Sequence, residues 1–435
     1  MKIFIRHIVM SVVATFVVGC QGFQMPQSPL LATFERKTGH IVYVGLDNNI
    51  YTMNQAGQDI VMITDQSVPG NDISDDITYF YPAWSPNGEQ LAFVGYRRAN
   101  DRSVEASLYT ARYDGKEFSR VFSEPGKQPF YVYWLPDSGD ISLLSGAAGD
   151  DRFVMDIVSV DGSASQEISR GIPFYWAWAP DGDALIAHKS SRPGAETGST
   201  SLSLVQVGDK VIDTSLNIRP SLFQSPVFSP DGKYFVAGIQ NSAGGGKLVL
   251  VEETGDRRQI LDDIEGQAAF DWSPDGDRIA YMSGSPTVYG MVGELTLIDL
   301  TDIENPLVSD TNASGVIAFF WDNSGDKLAY FSIGEAKISD GVTQEFVLEL
   351  SVLDVDSGEI MRLTGLRPTD AFMTQIVPHF DQYQRSSTIW SPNDRYLVIN
   401  SMTEDNRPGI FVIDATGNFQ PRLANYGVMP FWSRK

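Results

Sequence analysis

Few residues in this 435-residue chain are of kinds that do chemistry near neutral pH, and their spacing narrows that chemistry further. The single cysteine, Cys20, ends an apolar run, so the body after it has no thiol nucleophile, thiolate metal site or internal disulfide. Past that point the histidines are His40, His188 and His379, without metal-ligand spacing, so neither metal nor cofactor is expected. Gly-x-Ser-x-Gly, the strained turn that presents an activated serine, does not occur. The densest polar cluster is His379, Asp381, Gln382, Tyr383 and Arg385. Within it His379, Asp381 or Tyr383 could act as acid or base toward a carbohydrate or peptide. A second constellation is aromatic: Phe80-Tyr81 precedes Trp84, Phe130-Tyr131 precedes Trp134, and Phe174-Tyr175 precedes Trp178. Such rings stack a sugar, a peptide side chain or another flat ligand, while their hydroxyls set its direction.

What positions these pairs is a repeat. Trp-Ser-Pro-Asp-Gly or a variant begins at Trp84, Trp134, Trp178, Phe228, Trp272, Trp321 and Trp390, and a half-copy, Pro430-Phe431-Trp432-Ser433, follows. The intervals are 50, 44, 50, 44, 49, 69 and 42 residues. Each motif is followed by alternating apolar runs such as Leu91-Ala92-Phe93-Val94 and Leu108-Tyr109-Thr110-Ala111, read as second and third strands, with a shorter fourth strand after them. In Pro-Asp-Gly the Pro fixes φ, the Asp caps the turn and the Gly takes the left-handed position, so these aspartates are assigned to structure. A period of 40 to 50 residues filled by short strands signals a β-propeller.

The two ends complement each other. Residues 40–45, 49–54 and 59–64 supply three strands with no Trp motif before them, whereas 428–433 supply a first strand with nothing after it. Pairing them makes one composite blade and removes exposed sheet edges. Eight four-stranded blades are predicted, or seven if one weak copy is an insertion. The Phe-Tyr pairs precede innermost strands, which puts them near one mouth of the central channel. The long interval before Trp390 contains an extra segment, 369–385, with Phe372, Ile376 and Val377 at helical spacing ahead of Pro378. It is expected to form a short helix or lid over that mouth, carrying the polar cluster with it.

Trp-Ser-Pro-Asp-Gly followed by Leu-Ala-Phe resembles the TolB-type, WD-like propeller repeat over residues 38 to 435. The resemblance implies the fold more than a function, because the repeat occurs in Tol-system proteins, in propeller domains of prolyl-oligopeptidase-like peptidases and in many lipoproteins. The helical domain that precedes the TolB propeller has no counterpart in the sequence.

The first residues differ in kind. Lys2 and Arg6 open the chain, Ile8 to Val18 is apolar, and Val17-Val18-Gly19-Cys20 resembles a lipobox. Residues 1–19 are therefore read as a lipoprotein signal peptide, Cys20 as the lipid-attachment site, and 20–37 as a flexible tether. With Lys2 and Arg6 removed, 30 basic residues face 55 acidic ones, a net charge of about −25. Nucleic acid is excluded as a partner, because binding it requires Lys and Arg to displace counterions. The sequence thus predicts a monomeric, extracytoplasmic, lipid-anchored propeller that binds a protein, peptide or glycan and does no catalysis. A propeller hydrolase or lyase using the same mouth is the alternative.

Overall fold

The computed structural model describes residues 24–26, 37–65, 77–98, 103–190, 200–221, 224–240, 245–287, 290–334, 337–338 and 344–435. The expected signal peptide and Cys20 lie outside these residues. The chain is almost entirely antiparallel β-structure. Five sheets have four strands, one has seven, one three and one two. In the four-stranded sheet that begins at Ile77–Trp84, consecutive strands pair in order out to Ser119–Phe122, and the sheets beginning at Lys127–Trp134 and Phe174–Trp178 are built the same way. Among the described residues, no helix is long and apolar enough to cross a membrane.

The repeated motif explains this regularity. Ser85 Oγ donates to Asn87 Oδ1 at 2.7 Å and accepts from Gln90 N–H at 2.9 Å, while Gly88 turns with φ 73°. Ser273 and Ser229 make the same contact to the carboxylates of Asp275 and Asp231, so the motif aspartates stabilise turns. The motif tryptophan joins one repeat to the next. Trp134 donates its indole N–H to Ala83 O at 3.1 Å, Trp390 to Phe320 O at 3.0 Å, Trp321 to Asp271 O at 3.3 Å and Trp84 to Phe431 O at 3.1 Å. For Trp134, Trp321 and Trp390 the acceptor immediately precedes the tryptophan of the preceding repeat, and for Trp84 it immediately precedes Trp432 of the C-terminal half-copy. Trp178 reaches Ser142 Oγ at 3.0 Å, and that hydroxyl donates onward to Tyr133 O at 2.7 Å, so one side chain is interposed in the same connection. A buried carbonyl left unmet would cost about 1–3 kcal/mol, so these bonds fix how neighbouring sheets sit.

Strand Val428–Trp432 pairs with Ile41–Val44, whose four side chains are all buried, and completes the sheet that also holds Ile50–Met53 and Val61–Met62. Two irregularities depart from the repeat. Leu307–Trp321 is one 15-residue strand whose first part pairs with Gly290–Asp299 and whose last part pairs with Lys327–Ile333, which fuses two sheets into the seven-stranded one. At Trp390 the expected inner strand is reduced to isolated bridges, Trp390 to Leu397 and Thr388 to Trp432, because the chain arrives there directly from a helix. Of the expected tether, Gln24–Pro26 and Lys37 are described, and they are docked: Gln24 Nε2 donates to Leu363 O at 3.0 Å, Met25 bridges Phe419, and Lys37 pairs with Asp59.

Candidate functional site

The extra segment is helical throughout: a π-turn at Phe372–Ile376, a 3₁₀ turn at Val377–His379 and an α-helix at Phe380–Ser386. Its apolar residues anchor it. Phe372 packs on Phe331 at 5.1 Å, and Phe380 packs on Phe319 and Phe320 at 5.4 and 6.3 Å. Of the polar cluster, Asp381, Gln382 and Tyr383 are buried, Arg385 is partly buried and His379 is exposed. Gln382, 3% exposed, accepts from Trp176 N–H at 2.9 Å and donates to Trp176 O at 3.0 Å, pairing with that strand as another backbone would. Asp381 accepts from Ser225 N–H at 2.9 Å. Arg385 forms an ion pair with Asp271 and donates to Phe270 O at 3.1 Å. Since one short helix bonds to inner strands of several sheets, it stands where those strands converge. The segment is a short helical plug at this convergence: buried backbone groups of the inner strands need partners, and Asp381, Gln382 and Arg385 supply them.

The electrostatics follow from this burial. Burial raises the Asp381 carboxyl above its ordinary value, against the lowering pull of the Ser225 N–H and the Arg385 charge. Asp271 is raised by burial too, although Arg385 opposes it. Tyr383, Tyr131 and Tyr175 are all pushed up by burial, and His379 is pushed down by it, so each is neutral at pH 7.

Above the plug, a cavity of about 320 Å³ brings together most of the residues singled out from the sequence. Tyr81, Phe130, Tyr131, Phe174 and Tyr175 line it from three inner strands, and His379, Gln382 and Tyr383 line it from the helical segment. Tyr131 is 6% exposed. Its ring meets Trp176 and Tyr383 edge-on at 5.4 and 5.3 Å, and its hydroxyl donates to Gln382 O at 2.9 Å. It therefore bolts the plug to its strand and is not a free contact at the mouth. Tyr175 is more open, with its hydroxyl 2.5 Å from His379 Nδ1. If that nitrogen accepts a hydrogen bond from the tyrosine hydroxyl, the neutral ring carries its own hydrogen on Nε2. Tyr81 occupies the left-handed region, φ 55°, where the strand bulges between Phe80 and Ala83. Phe80 packs on Tyr96 at 6.0 Å and does not line the cavity; neither do Asp381 and Arg385.

Sequence reasoning missed Leu144, Phe153, Pro173, Trp176, Thr374 and Gln375 in the lining. Trp176 directly follows the third Phe-Tyr pair, which was a usable signal; Leu144 and Phe153 lie on later strands of their sheet and carry none. The remaining histidines are elsewhere: His40 stacks on Tyr113 at 4.6 Å, and His188 Nδ1 lies 3.0 Å from Gln224 O. Among the described residues, no group of three His, Cys, Asp or Glu could hold a metal.

No family model matches the chain, and no curated protein matches it. Solved structures do. The β-propeller domain of the Trilobed protease from Pyrococcus furiosus is similar at a TM-score of 0.50 and 13% identity, over 80% of this chain and 98% of that one. The fold is a β-propeller. An oligogalacturonate lyase in complex with manganese is similar at a TM-score of 0.50 and 14% identity, over 91% of this chain and 98% of that one. TolB from Acinetobacter baumannii is also similar, at 15% identity over 85% of this chain and 89% of that one, with a TM-score of 0.38. These proteins differ in activity, and at such identities the likeness covers the propeller fold alone.

Proposed function

We propose that this propeller is a non-catalytic binding module, held at a bacterial membrane by lipid on Cys20 and engaging a protein, peptide or glycan at its aromatic mouth. The observation that carries the reading is the convergence of three Phe-Tyr strands and the 372–386 helical segment on one cavity. Residues 38–435 form the propeller in this reading, on the extracytoplasmic side. Dividing the seven-stranded sheet within Leu307–Trp321, and completing the three-stranded sheet with Thr388–Trp390, gives eight blades. Pairing of Val428–Trp432 with Ile41–Val44, together with the Trp84 indole bond to Phe431, supports closure of the ring through the composite blade. A rigid mouth loses little conformational entropy on binding.

The catalytic reading has less to draw on. The Asp381 carboxylate is engaged with a backbone N–H and Arg385 with Asp271, which leaves the Tyr175–His379 pair as the titratable contact at the cavity. The test is calorimetric titration of the full chain with peptides, oligosaccharides and cell-wall fragments, alongside product analysis. Saturable binding without turnover, weakened at least tenfold by Tyr175→Ala at an unchanged melting temperature, is expected. Product formation abolished by His379→Ala would overturn the reading in favour of an enzyme.

A further inference from the structure

On the reading that the aromatic cavity is the binding site, the space beside it narrows the ligand class. Phe153, which packs on Phe130 at 4.9 Å, lines both the cavity and a second space of about 740 Å³, so the two adjoin at its ring. Their chemistry differs. No Lys, Arg, Asp or Glu lines the cavity, and a charged group would give up its hydration there without a counter-charge in return. The second space is a groove between the sheet that begins at Ile77–Trp84 and the sheet that begins at Lys127–Trp134, and its lining carries both signs of charge. Most of these charges already have partners: Lys127 pairs with Asp156 and Glu124, Arg152 with Asp150, and Glu105 with Arg97. Arg120 on the first sheet and Asp151 on the second line the groove and make no ion pair among the described residues.

The groove also borders a strand edge that no strand covers. Val104–Arg112 is the third strand of its sheet, and the fourth, Ser119–Phe122, pairs with it only over Leu108–Thr110. Val104–Ser107 therefore runs on beyond its neighbour. Alternate residues of a strand turn their N–H and C=O to opposite edges, and Val104 turns outward, since its C=O accepts at 3.3 Å from Nε2 of Gln128, an exposed side chain of the next sheet. Val104 is itself 42% exposed. An extended peptide carries an N–H and a C=O on either side of one Cα and exchanges both bonds with such a residue, whereas a sugar ring has no such pair. Volume sets the length. With about 30 Å³ of liquid per water, the groove holds roughly 25 non-hydrogen atoms and the cavity roughly ten, which is about four or five residues.

We propose that the ligand is an extended peptide whose uncharged apolar side chain fills the aromatic cavity and whose backbone crosses Phe153 to pair with the strand edge at Val104. Peptide side chains of opposite sign meet Arg120 and Asp151.

The experiment selects from a random library of acetylated, amidated octapeptides on the full chain and titrates the best-retained peptide by calorimetry. The selected sequences should share one large apolar residue beside a stretch that carries both signs of charge. Tyr175→Ala in the cavity and Asp151→Lys in the groove should each weaken that peptide at least tenfold without lowering the melting temperature. Val104→Pro should do the same, because it removes an outward N–H at the first residue of a strand, where proline is tolerated. N-methylation of a single peptide amide outside the apolar residue should weaken binding tenfold, with far less effect at the amides next to it. The proposal is overturned if no peptide binds saturably, if the apolar residue alone, as its acetylated amide, binds as tightly as the whole peptide, or if either groove variant binds unchanged. Saturable binding of an oligosaccharide in place of peptides, weakened by Tyr175→Ala, would leave the binding module standing and remove the peptide. Peptide binding lost in Val104→Pro yet unchanged in Tyr175→Ala would remove the aromatic mouth from both readings.

Discussion

Gln382 is where the plug's attachment can be tested most directly. Gln382→Met keeps the length and nearly the volume of the side chain but removes both amide atoms, so Trp176 N–H and C=O lose their partners in a site that is 3% exposed. At about 1–3 kcal/mol for each buried group left unmet, the loss is roughly 2–6 kcal/mol. An unfolding entropy of about 2.1 cal/mol/K per residue, over the roughly 360 described residues, gives about 0.8 kcal/mol per degree. The melting temperature should therefore fall by about 2–7 °C, read by circular dichroism or differential scanning fluorimetry. Gln375→Met is the internal control, since Gln375 Oε1 has no partner to lose, and it should melt within about 1 °C of the parent or above it. The reasoning fails if Gln382→Met melts with the parent, or if both variants fall alike.

Three other outcomes are expected. Trp134→Phe removes an indole N–H that meets Ala83 O, whereas the Trp272 indole N–H has no partner, so chemical denaturation should show Trp134→Phe costing about 1–3 kcal/mol more than Trp272→Phe. Arg385→Met strands the Asp271 carboxylate in a buried site and should cost about 3–5 kcal/mol, with Asp271→Asn in the same chain recovering part of it. His188 is lowered to about 4 by burial, so between its ordinary value of 6.5 and about 4 the unfolded chain binds a proton that the folded chain refuses. Stability should accordingly drop as pH falls through that window, by up to roughly 3 kcal/mol at about 1.4 kcal/mol per pH unit. His188→Gln should flatten this slope in urea titrations; an identical slope in the variant would show that another group sets it.

Much of the architecture was legible because its signals are local. Leu91–Val94 and Leu108–Ala111 sit inside the observed strands Gln90–Arg98 and Val104–Arg112, and the Pro-Asp-Gly turns form where the motif puts them. The fused strand was not legible: Asn312 and Gly315, residues that ordinarily mark a turn, take φ of 61° and 67° here near register shifts within one continuous strand. The site divides along the same line. Three Phe-Tyr pairs at one position of successive repeats had to fall on neighbouring inner strands, and they do. The depth of the polar cluster was hidden, because the partners that bury Gln382, Asp381 and Arg385 are Trp176, Ser225 and Asp271, more than a hundred residues away in sequence.

The pairing of Val428–Trp432 with Ile41–Val44 also sets an order of events on the ribosome. Ile41, Val42, Tyr43 and Val44 emerge early, yet the strand that covers their open edge is made some 380 residues later. At about 5–20 residues per second, that edge stays bare for roughly 20–80 s of synthesis. Any chain that stops short of Val428 carries the bare edge permanently, with four apolar side chains beside unpaired backbone groups. The same contact that finishes the intact molecule makes an interrupted one adhesive, and a chaperone or protease that reads exposed strand edges can tell the two apart.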